Sequence, residues 1–160
     1  MIRVGIGQDS HPFTTEEKIC VLGGIEIEDV PGFVGNSDGD VIVHALCAAI
    51  EQALGRKNFS TYSDVMCKEG ITDSKEYLKV AVKHMKEMEC TVNNVGISVE
   101  CKMPKILPIE EKIKKTLAPI LETDIANIGI NATTGEGMTA FGRGEGVQAF
   151  VIISLQKPKN

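Results

Sequence analysis

The chain has 160 residues, 42% hydrophobic and 24% charged, with a net charge of -5. These totals fit one soluble domain over residues 1–160 with a core of its own, and the acidic balance argues against general nucleic-acid binding. No apolar run approaches the ~20 residues of a membrane span. The five scattered cysteines form no Cys-x-x-Cys pair and suit a reducing compartment. The strand-like start carries no signal-peptide pattern, so a cytoplasmic location is expected.

In chain order, Ile2 to Gly7 alternates apolar and small residues and reads as a strand, closed by His11-Pro12. Ile19 to Leu22, Gly23-Gly24 and Ile25 to Ile27 read as a short hairpin. Pro31-Gly32 and Gly35 mark a loop, and Ser37, Asp38 and Asp40 are N-cap types. From Asp40 to about Leu54, positions 42, 45, 46, 49, 50 and 53 keep one apolar helical face, with Gly55 as the stop. Residues 56–72 have no clear period and read as a long loop anchored by Phe59 and Tyr62.

Asp73 to Glu76 is a capping box opening a helix to about Met88, with Leu78, Ala81, Met85 and Met88 on one face. His84 lies beside that face and reads as structural or solvated. Val92 to Cys101 alternates cleanly as a half-buried strand. After a proline-bounded loop at 103–108, Ile109, Ile113, Leu117 and Ile120 give a helix that Pro119 bends or ends. Ile128, Ile130 and Ala132 form a strand, and Val147 to Leu155 the last one, followed by a polar tail expected to fray.

The mixed order predicts an α+β fold, with a mixed sheet of four to five strands and helices packed on one face. In the last strand, Phe150 and Ile152 are apolar where alternation places solvent. A sheet apolar on both faces needs two covers. Helices supply one, and further subunits are the expected source of the other, which predicts an oligomer with its sheets inward.

Asp9-x-His11 at a strand end puts two potential ligands on one face, and His44 falls about one turn inside a helix. Together they suit a three-ligand zinc site with the fourth position open. The alternative is a packed helix histidine and a turn-capping Asp9. Thr133-Thr134-x-Glu136 follows a strand and can cradle a phosphate and a hard divalent ion, or be a Thr-rich turn with a solvated Glu. Lys105 can neutralise a phosphate or simply be solvated. In Gly142-Arg143-Gly144-Glu145-Gly146, an extended backbone would put Arg143 and Glu145 on one side, to pair across an oligomer axis or grip an anion.

Asp9-Ser10-His11, Ser37-Asp38-Gly39-Asp40-Val41 with His44, Met103-Pro104-Lys105, Ala132-Thr133-Thr134-x-Glu136 and Gly142-Arg143-Gly144-Glu145-Gly146 occur in one order over nearly the whole chain. In combination they resemble the 2-C-methyl-D-erythritol 2,4-cyclodiphosphate synthase family. The resemblance implies a homotrimer with its sheets toward the axis and sites between neighbouring subunits. It implies zinc on Asp9, His11 and His44, and magnesium or manganese on Glu136. The erythritol end of the substrate would meet Asn36, Ser37 and Asp64. The cytidine end would meet Cys101, Met103, Pro104, Lys105, Ile106, Leu107, Ala132, Thr133 and Thr134. Lys105 and Thr134 would act in catalysis. Arg143 and Glu145 would line the trimer axis, where an isoprenoid diphosphate can sit.

The implied reaction cyclises 4-diphosphocytidyl-2-C-methyl-D-erythritol 2-phosphate and releases CMP, in non-mevalonate isoprenoid synthesis. The chain departs from the family at Asn36, where His is usual. It also departs over 55–66, where only Asp64 of the polyol-gripping residues survives and Arg56 and Lys57 stand near an acidic position. Gly135, Gly137, Thr139 and Ala140 differ as well. A catalytically diverged trimeric binding protein for a nucleotide or isoprenoid diphosphate is the alternative. A zinc hydrolase of another diphosphate is a third.

Overall fold

The first strand, β1 (Ile2–Pro12), turns its small residues inward: Gly5 and Gly7 are buried, while Ile2, Val4 and Ile6 are exposed. The computed structural model describes residues 1–158. Helix α1 (Val41–Ala53) lies on β1 so closely that a Cβ at Gly5 or Gly7 would collide with the backbone of Ala49 or Ala45. Glycine against alanine permits that approach. β1 is longer than its apolar pattern suggested, because its backbone goes on pairing to His11↔Val147 and Pro12↔Gly146.

The main sheet is mixed and four-stranded, in the order β1-β6-β4-β5, with β4 (Thr91–Glu100), β5 (Ile128–Thr133) and β6 (Gly146–Gln156). β6 runs antiparallel to β1 and β4, and β5 parallel to β4. The inner face carries Val95, Ile97, Val99, Val147, Ala149, Val151, Ile153 and Leu155, all buried under the helices. The hairpin of β2 (Ile19–Leu22) and β3 (Ile25–Pro31) forms its own two-stranded sheet. Gly23 and Gly24 both have positive φ in its two-residue turn.

α1 is buried almost all round, including His44 and Glu51, because the sheet covers one side and α3 (Ser74–Glu87) the other. α4 (Glu110–Leu121) buries Ile113, Leu117 and Leu121 and continues two residues past Pro119 before Glu122 ends it with a positive φ. At α3, Asp73 caps the helix through Lys75 N, but the Glu76 carboxylate bonds Lys79 Nζ at 2.6 Å, so the reciprocal arm of the capping box is not made.

The stretch 56–72 is a correction. Ser60–Lys68 forms a helix, α2, and not a loop. Only Ser63 of it is buried, and the N-cap residue Phe59 has no capping side chain, Ser60 N donating instead to Asn58 Oδ1 at a long 3.3 Å, so local signals are weak. Its order comes from tertiary contacts: Phe59 packs on the His44 ring and Tyr62 on His84, with centroids 5.5 and 5.6 Å apart. Of the tail expected to fray, Lys157 pairs its backbone with Met1, and Lys159 and Asn160 lie outside the described residues. Among the described residues, no helix is long and apolar enough to cross a membrane.

Candidate functional site

Asp9 and His11 share one face of β1, two residues apart, and His44 reaches them from the first turn of α1. Asp9 Oδ2 lies 3.2 Å from His11 Nε2 and 3.0 Å from His44 Nδ1, and the three ligand atoms all fall within 4.8 Å of one another. His11 Nδ1 donates to the Val34 carbonyl at 2.9 Å, which leaves Nε2 to face Asp9. One carboxylate and two imidazoles are a donor set suited to zinc. The hydrogen bond to Asp9 raises His11 above the ordinary histidine range. Burial opposes the charge on Asp9, but its bonds with both histidines outweigh that and keep its carboxyl below the usual value.

The helix start that carries His44 is held by Asp40, which is fully buried. Its carboxylate accepts from Ile42 N and Val43 N at 3.1 Å, and also from Gly23 N and Gly24 N at 2.8 and 2.6 Å. One side chain therefore caps α1 and hooks the hairpin turn onto it. Burial pushes this carboxyl up, and the backbone N–H groups work against it.

Lys18 is a structural residue with no signal in the sequence. Its ammonium donates to the carbonyls of Phe33, Gly35 and Ser37 at 2.7 to 3.0 Å, shaping the loop between the hairpin and α1. His44 Nε2 is 2.7 Å from Ser74 Oγ, a contact that sequence spacing does not signal. His84, read as structural or solvated, lies 2.7 Å from the buried Glu51 carboxylate, which also accepts from Arg56 Nε at 3.1 Å.

A cavity of about 560 Å³ opens beside the cluster, lined by His11, His44, Asn36, Ser37, Asp64 and one face of α2. Asn36 and Asp64 are exposed in it. Ser37 faces it while its hydroxyl accepts from Gly39 N. Positions 60, 63, 64, 67 and 68 recur at helical spacing, so the cavity side of α2 offers Ser60, Ser63, Asp64, Cys67 and Lys68.

The second group of expected residues gathers elsewhere. Cys101 N donates to Thr133 O at 3.1 Å and Lys102 N to Phe141 O at 3.2 Å, so the 101–107 loop sits against the turn after β5. Cys101, Pro104 and Ile106 are buried, whereas Met103, Lys105 and Leu107 are exposed. Thr133 Oγ1 accepts from Gly135 N, and Thr134 Oγ1 caps the turn through Glu136 N. Ala132, Thr133, Thr134 and Glu136 are all exposed, and Glu136 has a φ of 52°. Residues 140–145 form turns, not an extended run, and Arg143 Nε bonds Glu145 Oε1 at 2.9 Å within the chain.

The two groups do not meet in one chain. Ser10, Gln148, Glu100 and Thr133 lie in one row across the sheet. The triad and the Thr133–Glu136 turn therefore share one end of the sheet but occupy its opposite edge strands, three strand spacings or about 14 Å apart.

The YgbB family model matches residues 2–156. A 2-C-methyl-D-erythritol 2,4-cyclodiphosphate synthase of Chlamydia trachomatis serovar L2 is 44% identical over 97% of this chain and 88% of that protein. Among solved structures, IspF of Plasmodium falciparum in a CDP complex superposes with a TM-score of 0.86 at 32% identity, covering 99% of this chain and 97% of that one. The bifunctional IspDF of Campylobacter jejuni superposes with a TM-score of 0.91 at 31% identity, over 99% of this chain and 43% of that one.

Proposed function

The chain belongs to the YgbB family of 2-C-methyl-D-erythritol 2,4-cyclodiphosphate synthases, and from that premise we propose how its own residues carry out the reaction. The protein is a phosphorus–oxygen lyase of isoprenoid synthesis. The 2-phosphate of 4-diphosphocytidyl-2-C-methyl-D-erythritol 2-phosphate attacks the β-phosphorus, CMP leaves, and 2-C-methyl-D-erythritol 2,4-cyclodiphosphate forms. The observation that carries the reading is the convergence of Asp9, His11 and His44 beside a cavity that the two histidines line.

Asp9, His11 and His44 would hold zinc, and Glu136 magnesium or manganese. When bound, these ions supply positive charge to the phosphate oxygens. A phosphate nucleophile needs no strong base, so the protein's task is placement and charge neutralisation. Lys105 offsets charge on the diphosphate. The Thr134 hydroxyl leaves its cap on Glu136 N to orient a phosphate oxygen. Cys101, Met103, Pro104, Ile106, Leu107, Ala132 and Thr133 form the nucleotide side. Asn36, Ser37 and Asp64 receive the erythritol end. Asn36 can donate a hydrogen bond but carries no charge.

The separation of the two groups within one chain supports a homotrimer, in which the β5 edge of one subunit completes the triad cavity of the next. The outward apolar face of Val4, Ile6, Phe150 and Ile152 is the surface that such packing covers. Arg143 and Glu145 then border the axis, where an isoprenoid diphosphate can bind.

Incubation of the purified protein with the cytidine diphospho substrate, zinc and magnesium tests the reading. CMP and cyclic diphosphate are expected in equal amounts. Tight binding without turnover would favour a diverged binding protein, in which the departures at Asn36 and 55–66 have removed the grip on the polyol. CMP release without cyclic product would point to a hydrolase.

A further inference from the structure

His44 is held on its far side by a chain of hydrogen bonds that none of the proposed catalytic steps uses. Its Nε2 lies 2.7 Å from Ser74 Oγ. Ser74 Oγ contacts Asp38 Oδ1 in turn, and Ser74 N donates to Asp38 Oδ2 at 2.8 Å. Asp38 also accepts from Asp40 N at 3.0 Å. Ser74 is fully buried, and His44 is 7% exposed.

The direction of each bond follows from what each group can do. An ionised carboxylate only accepts, so the Ser74 hydroxyl proton points to Asp38. The Ser74 oxygen is then an acceptor toward His44, and the imidazole proton must sit on Nε2. A neutral imidazole has one N–H. His44 Nδ1 is therefore the bare nitrogen, and it faces Asp9 Oδ2. In the neutral, metal-binding form His11 likewise presents a bare Nε2 to the same oxygen, because its one N–H, on Nδ1, is committed to Val34 O. Lone pairs from three groups converge on one point, which a cation satisfies.

We propose that Ser74 and Asp38 are positioning residues for the metal: through Ser74, Asp38 fixes the tautomer and ring orientation of His44 so that Nδ1 is the ligand atom. Ser74 is the first residue of α3, thirty positions from His44 in sequence, so the start of α3 becomes part of the metal site. Outer partners of this kind typically contribute 10- to 100-fold to metal affinity. The proposal rests on the metal reading above, and its test separates the two.

Cobalt(II) serves as the probe, with its dissociation constant measured by chelator competition and its visible bands recorded in the full-length protein. Wild type binds, and His44→Ala does not. If those two bind alike, the metal reading itself fails. Ser74→Ala is expected to bind about 10- to 100-fold more weakly with shifted bands, and to lack the slowly exchanging His44 Nε2 proton that the zinc form of the wild type should show by NMR. Asp38→Asn, which keeps the shape but weakens the final acceptor, is expected to move the same readouts in the same direction. It decides the question if Ser74→Ala does not fold. Asp73→Ala removes the neighbouring cap of α3 without touching His44 and should bind as wild type. Wild-type affinity in the folded Ser74 or Asp38 variant, or an equal loss in Asp73→Ala, overturns the proposal.

Discussion

Removing the His44 imidazole takes one of three ligand atoms from the cluster and leaves Asp9 and His11 as a pair on one strand. Two ligands do not make a zinc site of the usual affinity. His44→Ala should therefore lose its zinc in metal analysis and its cyclase activity by ~10²-fold or more, the scale of losing one charge-stabilising group. Its circular dichroism should stay native, and full zinc occupancy in this variant would refute the ligand assignment. The cysteines offer a second reading at this scale. Cys20, Cys47, Cys90 and Cys101 are buried, and burial pushes the Cys20 thiol up to about 12 and Cys101 to about 11. Thiolate is the reactive form, so these should resist alkylation near pH 8. Cys67, partly exposed at the cavity wall, should be labelled first by iodoacetamide, and the cytidine diphospho substrate should slow that labelling. Mass spectrometry of the native protein decides it: labelling of Cys67 indifferent to substrate would place the erythritol end elsewhere.

At the scale of elements, α1 organises the chain, and Asp40 sets where it begins. Four backbone N–H groups, two from the helix and two from the hairpin turn, converge on that one carboxylate. Asp40→Ala should cost about 2–4 kcal/mol, a lost cap plus orphaned buried donors. Urea denaturation would measure it, and a midpoint equal to wild type would mean that the cap is dispensable. The α1 start was readable from Ser37-Asp38-Gly39-Asp40 and the apolar run after it. α2 was not. Phe59, Tyr62 and Met66 carry a partial helical spacing, but the segment has Phe59 at its N-cap and lacks a buried stripe. Its helix is stabilised by rings seated on His44 and His84, which local pattern cannot foresee.

For the whole molecule, the decisive feature is a sheet that is apolar on both sides. β1 faces its glycines to α1 and its Val4 and Ile6 outward, beside Ile152 and Phe150 of β6, which are 51% and 41% exposed. Such a contiguous apolar surface calls for a cover. Native mass measurement should find three times the chain mass. Ile152→Glu, which brings three carboxylates together at the proposed axis, should shift the protein to monomers. Turnover should fall with it if, as proposed, each site draws on two subunits. A trimer that persists in Ile152→Glu would move the interface away from this face. The outward Phe150 and Ile152 were legible as a break in alternation. The matching face of β1 was harder to see, because its glycines are the buried side.

By itself the sequence determined whatever depends on neighbours along the chain. This includes the helix starts with capping residues, the Gly23-Gly24 hairpin turn, the alternation of β4 and β6, and the ordered motifs that mark the family. Only the tertiary structure decided which atoms face one another: the hairpin forming its own sheet, α2 closing over His44, Lys18 clamping three carbonyls, and Ser74 holding His44 Nε2. Those outcomes rest on contacts between residues brought together by packing on α1. Their energies depend on burial and direction in space, which residue types and spacing leave unspecified.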